Sequence, residues 1–291
     1  MNRIKIIPSV RNRDYRDGSS PAVVSILSGK GGVGKSVIAY NLAERLGDAG
    51  KKILLVDYDL SCGNLHILSN QNYDAGLDEY TSNDLSLNEA TLKLTLKLNL
   101  LSASKQGIRN RLYNAGNAVQ LIQKICRDAA GYDLVIIDHS SGISESSLAI
   151  AHVSDLSIIV VVPELTSISD GYGLFKHLIR INDQALCCLL INRIDQNDEA
   201  EIIYRKLSAV TEKFLHHALD PIGWISEDAI VRKAVASQMS IADIDENSKT
   251  VQEFNKIANS ILNLLYQRDN EVQAAYKNEI NVKPAMADIR E

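Results

Sequence analysis

One stretch of eight residues narrows the folds open to this chain more than any other. Residues 29–36 read Gly-Lys-Gly-Gly-Val-Gly-Lys-Ser, a glycine loop closing on a lysine and a hydroxyl. The run before it, Val23 to Leu27, is apolar and largely β-branched, as a buried strand should be. The run after it, Val37 to Ala43, reads as a helix. Strand, glycine loop and helix form the context in which the pattern G-x-x-x-x-G-K-[ST] holds phosphate. Glycines let the backbone turn tightly and aim several N–H groups at phosphate oxygens. The helix N-terminus adds partial positive charge. Gly29, Gly31, Gly32, Val33 and Gly34 are thus the candidate cradle. Lys35 is placed to reach the β- and γ-phosphates, and the Ser36 hydroxyl to hold Mg²⁺.

Beyond the loop, apolar runs and amphipathic stretches alternate. Strands are expected over 23–28, 53–57, 98–102, 133–138, 156–162, 186–192 and 221–225, and helices over 35–48, 114–129, 144–152, 167–181, 197–217, 227–237 and 248–267. Most of the strands are unbroken apolar runs, which suits a parallel sheet covered on both faces. The alternation predicts a doubly wound α/β fold, a mostly parallel sheet flanked by helices, with ligands at the carboxyl ends of its strands. The 291 residues fit one such domain over 22–268, between polar tails at 1–21 and 269–291.

Two strand ends carry carboxylates at the same edge as the glycine loop. Ile53-Leu54-Leu55-Val56 runs into Asp57-Tyr58-Asp59, and Leu134-Val135-Ile136-Ile137 into Asp138. Asp138 suits a Mg²⁺ carboxylate acting through coordinated water. Asp57 and Asp59 are expected on opposite faces, dividing the work. One would support Mg²⁺ and the other orient an attacking water.

These motifs together resemble the MinD/ParA family of ATPases. Lys30, directly after the first glycine, matches the extra lysine of that family's deviant phosphate loop. Asp57-Tyr58-Asp59-Leu60 with Gly63-Asn64-Leu65 is similar to its switch I, and Tyr132 to Asp138 to its Walker B strand. Pro163 to Asp170 and Ile191-Asn192-Arg193-Ile194 look most like the flagellar-number regulators of the FlhG group (FleN/YlxH). The resemblance covers about residues 22–265. It implies ATP and Mg²⁺ as ligands and a homodimer with two ATP molecules sandwiched between subunits. Lys30 would cross to the partner's nucleotide, Asp59 would orient the hydrolytic water, and Asn192 with Arg193 would hold the adenine nucleotide. A regulatory or cargo protein is the implied partner.

The chain also departs from its apparent relatives. His139-Ser140-Ser141-Gly142 follows Asp138, where small residues or proline are usual, and His66 stands where an aspartate is common. His139 is expected either beside the γ-phosphate or in a solvent or hydrogen-bonded position. The stripe Val251, Phe254, Ile257, Ile261, Leu264 is expected to pack on the core. After it the tail is polar, mixed in charge and interrupted by Pro284, unlike a basic membrane-binding helix, so membrane binding is expected to be weak or absent.

A ParA-type partition ATPase is the alternative. The net charge of −5 with no obvious basic run weakens it, and no sequence-specific nucleic acid is expected as a partner. Of the four cysteines, Cys187 and Cys188 are expected buried, and Cys62 and Cys126 do not match the spacing of a cluster-bridging relative. A tyrosine autokinase would need a tyrosine-rich tail, and only Tyr276 lies there. With no long apolar stretch at the N-terminus and no run long enough to span a membrane, the expected location is the cytoplasm, with recruitment to a pole or membrane by a partner.

Overall fold

The strands are rich in Val, Ile and Leu because both of their faces are covered. In the computed structural model, which describes residues 20–60, 62–82, 84–103 and 114–285, they form one eight-stranded sheet. The strands are β1 (Ala22–Leu27), β2 (Ile53–Tyr58), β3 (Leu92–Lys93), β4 (Leu98–Leu101), β5 (Leu134–His139), β6 (Leu156–Val161), β7 (Cys187–Ile194) and β8 (Asp220–Ser226). Their order is β3-β4-β2-β5-β1-β6-β7-β8, parallel except for the β3/β4 hairpin at one edge. The doubly wound fold expected from the alternation is the fold found. β1 lies near the middle, and the chain crosses it between β5 and β6, so the loop after β1 opens at a switch point of the sheet.

The helices are α1 (Lys35–Asp48), α2 (Leu65–Leu68), α3 (Leu77–Thr81), α4 (Leu87–Ala90), α5 (Ala115–Asp128), α6 (Glu145–Val153), α7 (Leu165–Ile181), α8 (Asn197–Leu215), α9 (Ala229–Ser237), α10 (Ile241–Ile244) and α11 (Lys249–Ala285). Strand side chains alternate between two helical layers. Val24, Ile26, Leu55 and Ile136 pack with α1 and α11 on one face. On the other face Val23, Val56 and Ile137 pack with α5, and Leu27, Ile159 and Leu189 with α7 and α8. Cys126, Cys187 and Cys188 are buried in these layers, and burial pushes the two β7 thiols up to about 12.

Four one-turn helices and β3 were not expected, because segments this short carry too few residues for a period to register. The C-terminal helix also differs from expectation. It does not stop at 267 but continues to Ala285, through the stretch read as a polar tail and through Pro284. Glu271 to Lys283 contains no glycine or proline, so propensity carries the helix on after its apolar stripe has ended. The N-terminal tail lies outside the described residues apart from Ser20 and Pro21.

The α11 stripe packs on the core, as its spacing predicted. Val251, Phe254, Ile257, Ile261 and Leu265 are buried against the α1 layer, with Leu264 partly covered. Polar contacts fix both ends of the packed part. Ser226 donates its N–H and hydroxyl to Glu253 at 2.9 and 2.7 Å, and Arg268 donates to the Asp155 carbonyl. Among the described residues no helix is long and apolar enough to cross a membrane.

If α11 is a core element, Ile261→Ala should lower unfolding free energy by about 2–5 kcal/mol, a buried-aliphatic cavity cost. Tyr266, which is 70% exposed, should tolerate alanine within about 0.5 kcal/mol. Urea titration of both variants checks this, and equal effects would contradict the packing described.

Candidate nucleotide site

The loop between β1 and α1 takes a shape that its sequence dictates. Gly34 caps α1 with φ 91°, a left-handed conformation, and a Cβ there would lie 2.5 Å from the Asn192 amide nitrogen. A side chain at Gly29 would meet the backbone of Asp170 on α7 at 2.8 Å. Loop and flanking elements thus pack as closely as glycine permits. Asn192, at the end of β7, donates through Nδ2 to the Val33 carbonyl at 2.7 Å and braces the loop from outside.

Beneath the loop lies a buried charge cluster. Lys35 projects from the first turn of α1 and donates to Asp138 Oδ1 at 2.9 Å, both side chains being almost wholly buried. Asp57 stands opposite Asp138 in the β2/β5 register, also fully buried. Its Oδ1 accepts the Asp59 N–H at 3.2 Å and its Oδ2 the Leu65 N–H at 3.1 Å. Burial, and then the charge of Asp138, push its pKa from 3.8 up to about 7. Burial also raises that of Asp138, against the pull of Lys35 and of Ser36 beside it.

Lys35 thus pairs with one of two neighbouring buried carboxylates, and Asp138 Oδ2 has no hydrogen-bond partner among the described residues. The Ser36 hydroxyl, Asp57 and Asp138 form an all-oxygen donor set, which suits a hard divalent cation. Among the described residues no group of three or more His, Cys, Asp or Glu gathers as a metal site.

Asp57 and Asp59 do not diverge in the way expected. Residues two apart share a strand face, so opposite faces are not available to them on β2. They separate because the strand ends at Tyr58. Asp57 stays in the sheet, while Asp59 sits half-buried in the following turn and accepts the Cys62 N–H at 3.1 Å.

His139 is turned away from the loop. It follows Asp138 on β5, so its ring enters the opposite layer, edge-on to Tyr58 at 5.7 Å. It is fully buried and its Nε2 shares a 2.9 Å hydrogen bond with the Ser25 hydroxyl. Burial, with the charge of Lys35, lowers its pKa to about 3, so the ring is neutral. Of the positions open to it, the structure selects the hydrogen-bonded one.

On the outer side of the loop, Lys30 folds back on its own chain. It pairs with Glu164 and donates to Thr166 Oγ1 at 3.2 Å, at the start of α7. Leu165 between them is 88% exposed. The pairing was not anticipated; Glu164 follows the strand read at 156–162, so its edge was legible but its partner was not.

Asn192 and Arg193 line a cavity of about 540 Å³ beside the loop. Val37 and Ile38 of α1, Val231 and Val235 of α9, and Phe254 of α11 supply apolar walls. Arg193 is held with φ 60° and stands near Glu227, which also pairs with Arg232. A flat base fits such a slot, with charge at its mouth and the phosphate loop at its edge. The loop, Lys35, Ser36, Asp57, Asp138, Asn192 and Arg193 thus converge on one region, with Asp59 at its rim and Lys30 on its outer face.

Known proteins resemble this chain in sequence and in fold. Residues 21–189 match the family described as AAA domain. Antiactivator FleN of Pseudomonas aeruginosa is 29% identical over 240 residues, 82% of this chain and 85% of FleN. Flagellum site-determining protein YlxH of Helicobacter pylori is 26% identical over 245 residues, 83% of this chain and 82% of YlxH. In fold the chain is similar to septum site-determining protein MinD of Pyrococcus horikoshii, solved in complex with Mg-ADP. The TM-score is 0.68 at 21% identity, covering 83% of this chain and 96% of MinD. The chain belongs to the MinD/ParA family of P-loop ATPases, close to the FlhG (FleN/YlxH) group.

Proposed function

We propose that this chain is an ATP-driven dimerising switch that sets the placement or number of a cellular structure, such as flagella or the division site. The observation that carries the reading is the joint exposure of the phosphate loop's outer face, Lys30 and bare Leu165 on one surface. A second subunit docking there would bury Leu165 and bring its own Lys30 to this nucleotide. Lys30 must first leave Glu164, so ATP closes the dimer only if its γ-phosphate offers the lysine more than the carboxylate does.

In that dimer Lys35 turns from Asp138 to the β- and γ-phosphates, and Asn192 and Arg193 hold the adenine end. Ser36, with Asp57 and Asp138, would hold Mg²⁺, which would supply the positive charge that offsets charge developing on the phosphates. Asp59 orients the water that attacks the γ-phosphorus. The bond to the β-bridging oxygen breaks, ADP and phosphate separate, and the dimer loses the contact that held it. YlxH and MinD are site-determining proteins by name, which favours a spatial regulator, and the net charge of −5 disfavours a DNA-riding one. Position in the cell is then set by a protein partner. The mixed charges of residues 271–291 offer little to an anionic lipid surface.

Light scattering with ATP and Mg²⁺ tests the cycle. Asp59→Ala should bind ATP and persist as a dimer, since only the water loses its guide. Lys30→Ala should bind nucleotide and stay monomeric. An Asp59→Ala protein that remains monomeric with ATP, or a Lys30→Ala protein that dimerises like the parent, would contradict the proposal.

The buried carboxylates give a pH signature. Unfolded, Asp57 releases its proton near 3.8; folded, it keeps it to about 7. The ligand-free fold therefore binds the extra proton, and that stability is present at low pH and lost as pH rises through 7. Between about pH 5 and pH 8, Tm of the ligand-free protein should fall by about 2–5 °C more than that of Asp57→Asn. Mg²⁺ with ADP, which favours the charged carboxylates, should flatten the parent's curve. Parallel curves for parent and variant would remove Asp57 from the account.

A further inference from the structure

The cavity that suits a base and the carboxylates that suit the cation lie on different elements. A short run of hydrogen bonds joins them. It starts at Asp57, whose Oδ2 holds the Leu65 N–H at 3.1 Å. Leu65 opens α2, a single turn closed by bonds from Ile67 and Leu68 to Asn64. At the far end of that turn the Ile67 carbonyl accepts Gln238 Nε2 at 3.0 Å, along with the Asn70 N–H. Gln238 is the C-cap of α9, whose Val231, Arg232, Val235 and Ala236 line the base cavity.

The geometry around Gln238 is specific. Its backbone is left-handed, at φ 55° and ψ 44°, a conformation costly for a residue with a side chain. The chain then turns into α10, where the Ile241 N–H donates to Asn41 of α1 at 2.9 Å. The turn at 238–241 is thus a junction of α9, α2 and α1. Through α1 it reaches the phosphate loop directly, and through α2 it reaches Asp57.

We infer that Gln238 is a positioning residue that couples the cation and phosphate end of the site to the wall of the base cavity through α2. The inference rests on the nucleotide reading of that site. Whatever engages Asp57 changes what α2 is anchored to, and a one-turn helix is too short to absorb the change internally. Gln238 passes it to α9, so α9 shifts with the phosphates although they do not touch it.

Inorganic tripolyphosphate with Mg²⁺ is the probe, because it fills the phosphate end and leaves the base cavity free. In the parent it should change hydrogen exchange at residues 65–70 and at 230–238 in the same sense, each about threefold or more, the scale of one hydrogen bond. Gln238→Glu keeps the length and removes the donor. The response at 65–70 should persist and that at 230–238 should disappear. Gln238→Lys, which returns a donor, should restore part of it. An undiminished response at 230–238 in Gln238→Glu would mean that coupling runs through α1 and Asn41, and would overturn the inference. So would a parent whose α9 never responds while calorimetry shows tripolyphosphate bound. A parent that binds neither tripolyphosphate nor ATP would instead remove the nucleotide reading, and this inference with it.

Discussion

The structure turns on a charge imbalance. Lys35 and Asp138 form a buried ion pair at the carboxyl edge of the sheet, and Asp57 adds a second carboxylate with no cation of its own among the described residues. A buried charge without a partner is expensive, and the usual escape is protonation. Asp57 is moved in that direction, its pKa pushed to about 7 by burial and by Asp138. It is partly compensated by two backbone N–H bonds, from Asp59 and Leu65. The same two bonds fold the segment after β2 around the carboxylate. A site one positive charge short therefore also organises the loop that would report its filling.

Seen this way, the sheet has a structural role and a poising role. Parallel strands covered on both faces exclude water from Asp57 and Asp138. Strand parity then decides which side chains share the site. Asp57 and Asp138 face α1 and the loop, whereas Tyr58 and His139, one residue on, face the other layer. Removing the carboxylate of Asp138 would strand the Lys35 charge in the interior, a change of the kind that costs several kcal/mol when buried pairs are broken. Fold stability and the proposed nucleotide chemistry thus draw on the same atoms.

Much of this was legible in the residues. The glycine loop, its strand and helix and the aspartates at strand ends are local patterns, and they landed where their spacing put them. The unbroken apolar runs announced a covered parallel sheet, and the stripe from Val251 to Ile261 announced a helix on the core. The misses have two physical sources. Elements of four or five residues, such as α2, α3, α4 and α10, are set by caps and tertiary contacts rather than by a period. Pairings across long sequence distances leave no local trace. Lys30 with Glu164, Gln238 with Ile67 and Ser226 with Glu253 are of that kind. For Asp57 and Asp59 the end of β2 at Tyr58, not the pleat, is what separates them.

The residue after Asp138 shows how a departure from family pattern can be absorbed. A histidine beside the phosphates would add a titratable group to the reaction. On β5 it cannot reach them, since adjacent strand residues face opposite layers. It joins a buried chain instead: His139 to Ser25 at 2.9 Å, Ser25 to Ser154 at 2.8 Å, and Ser154 to the Ile150 carbonyl at 2.9 Å. That chain ties β5, β1 and the end of α6 together on the face remote from the loop. Burial keeps the ring neutral with a pKa of about 3, so across the physiological range it neither gains charge nor competes with Lys35 for the carboxylates. The position is thus open to a bulky polar residue because the pleat turns it to the layer away from Asp138 and the loop.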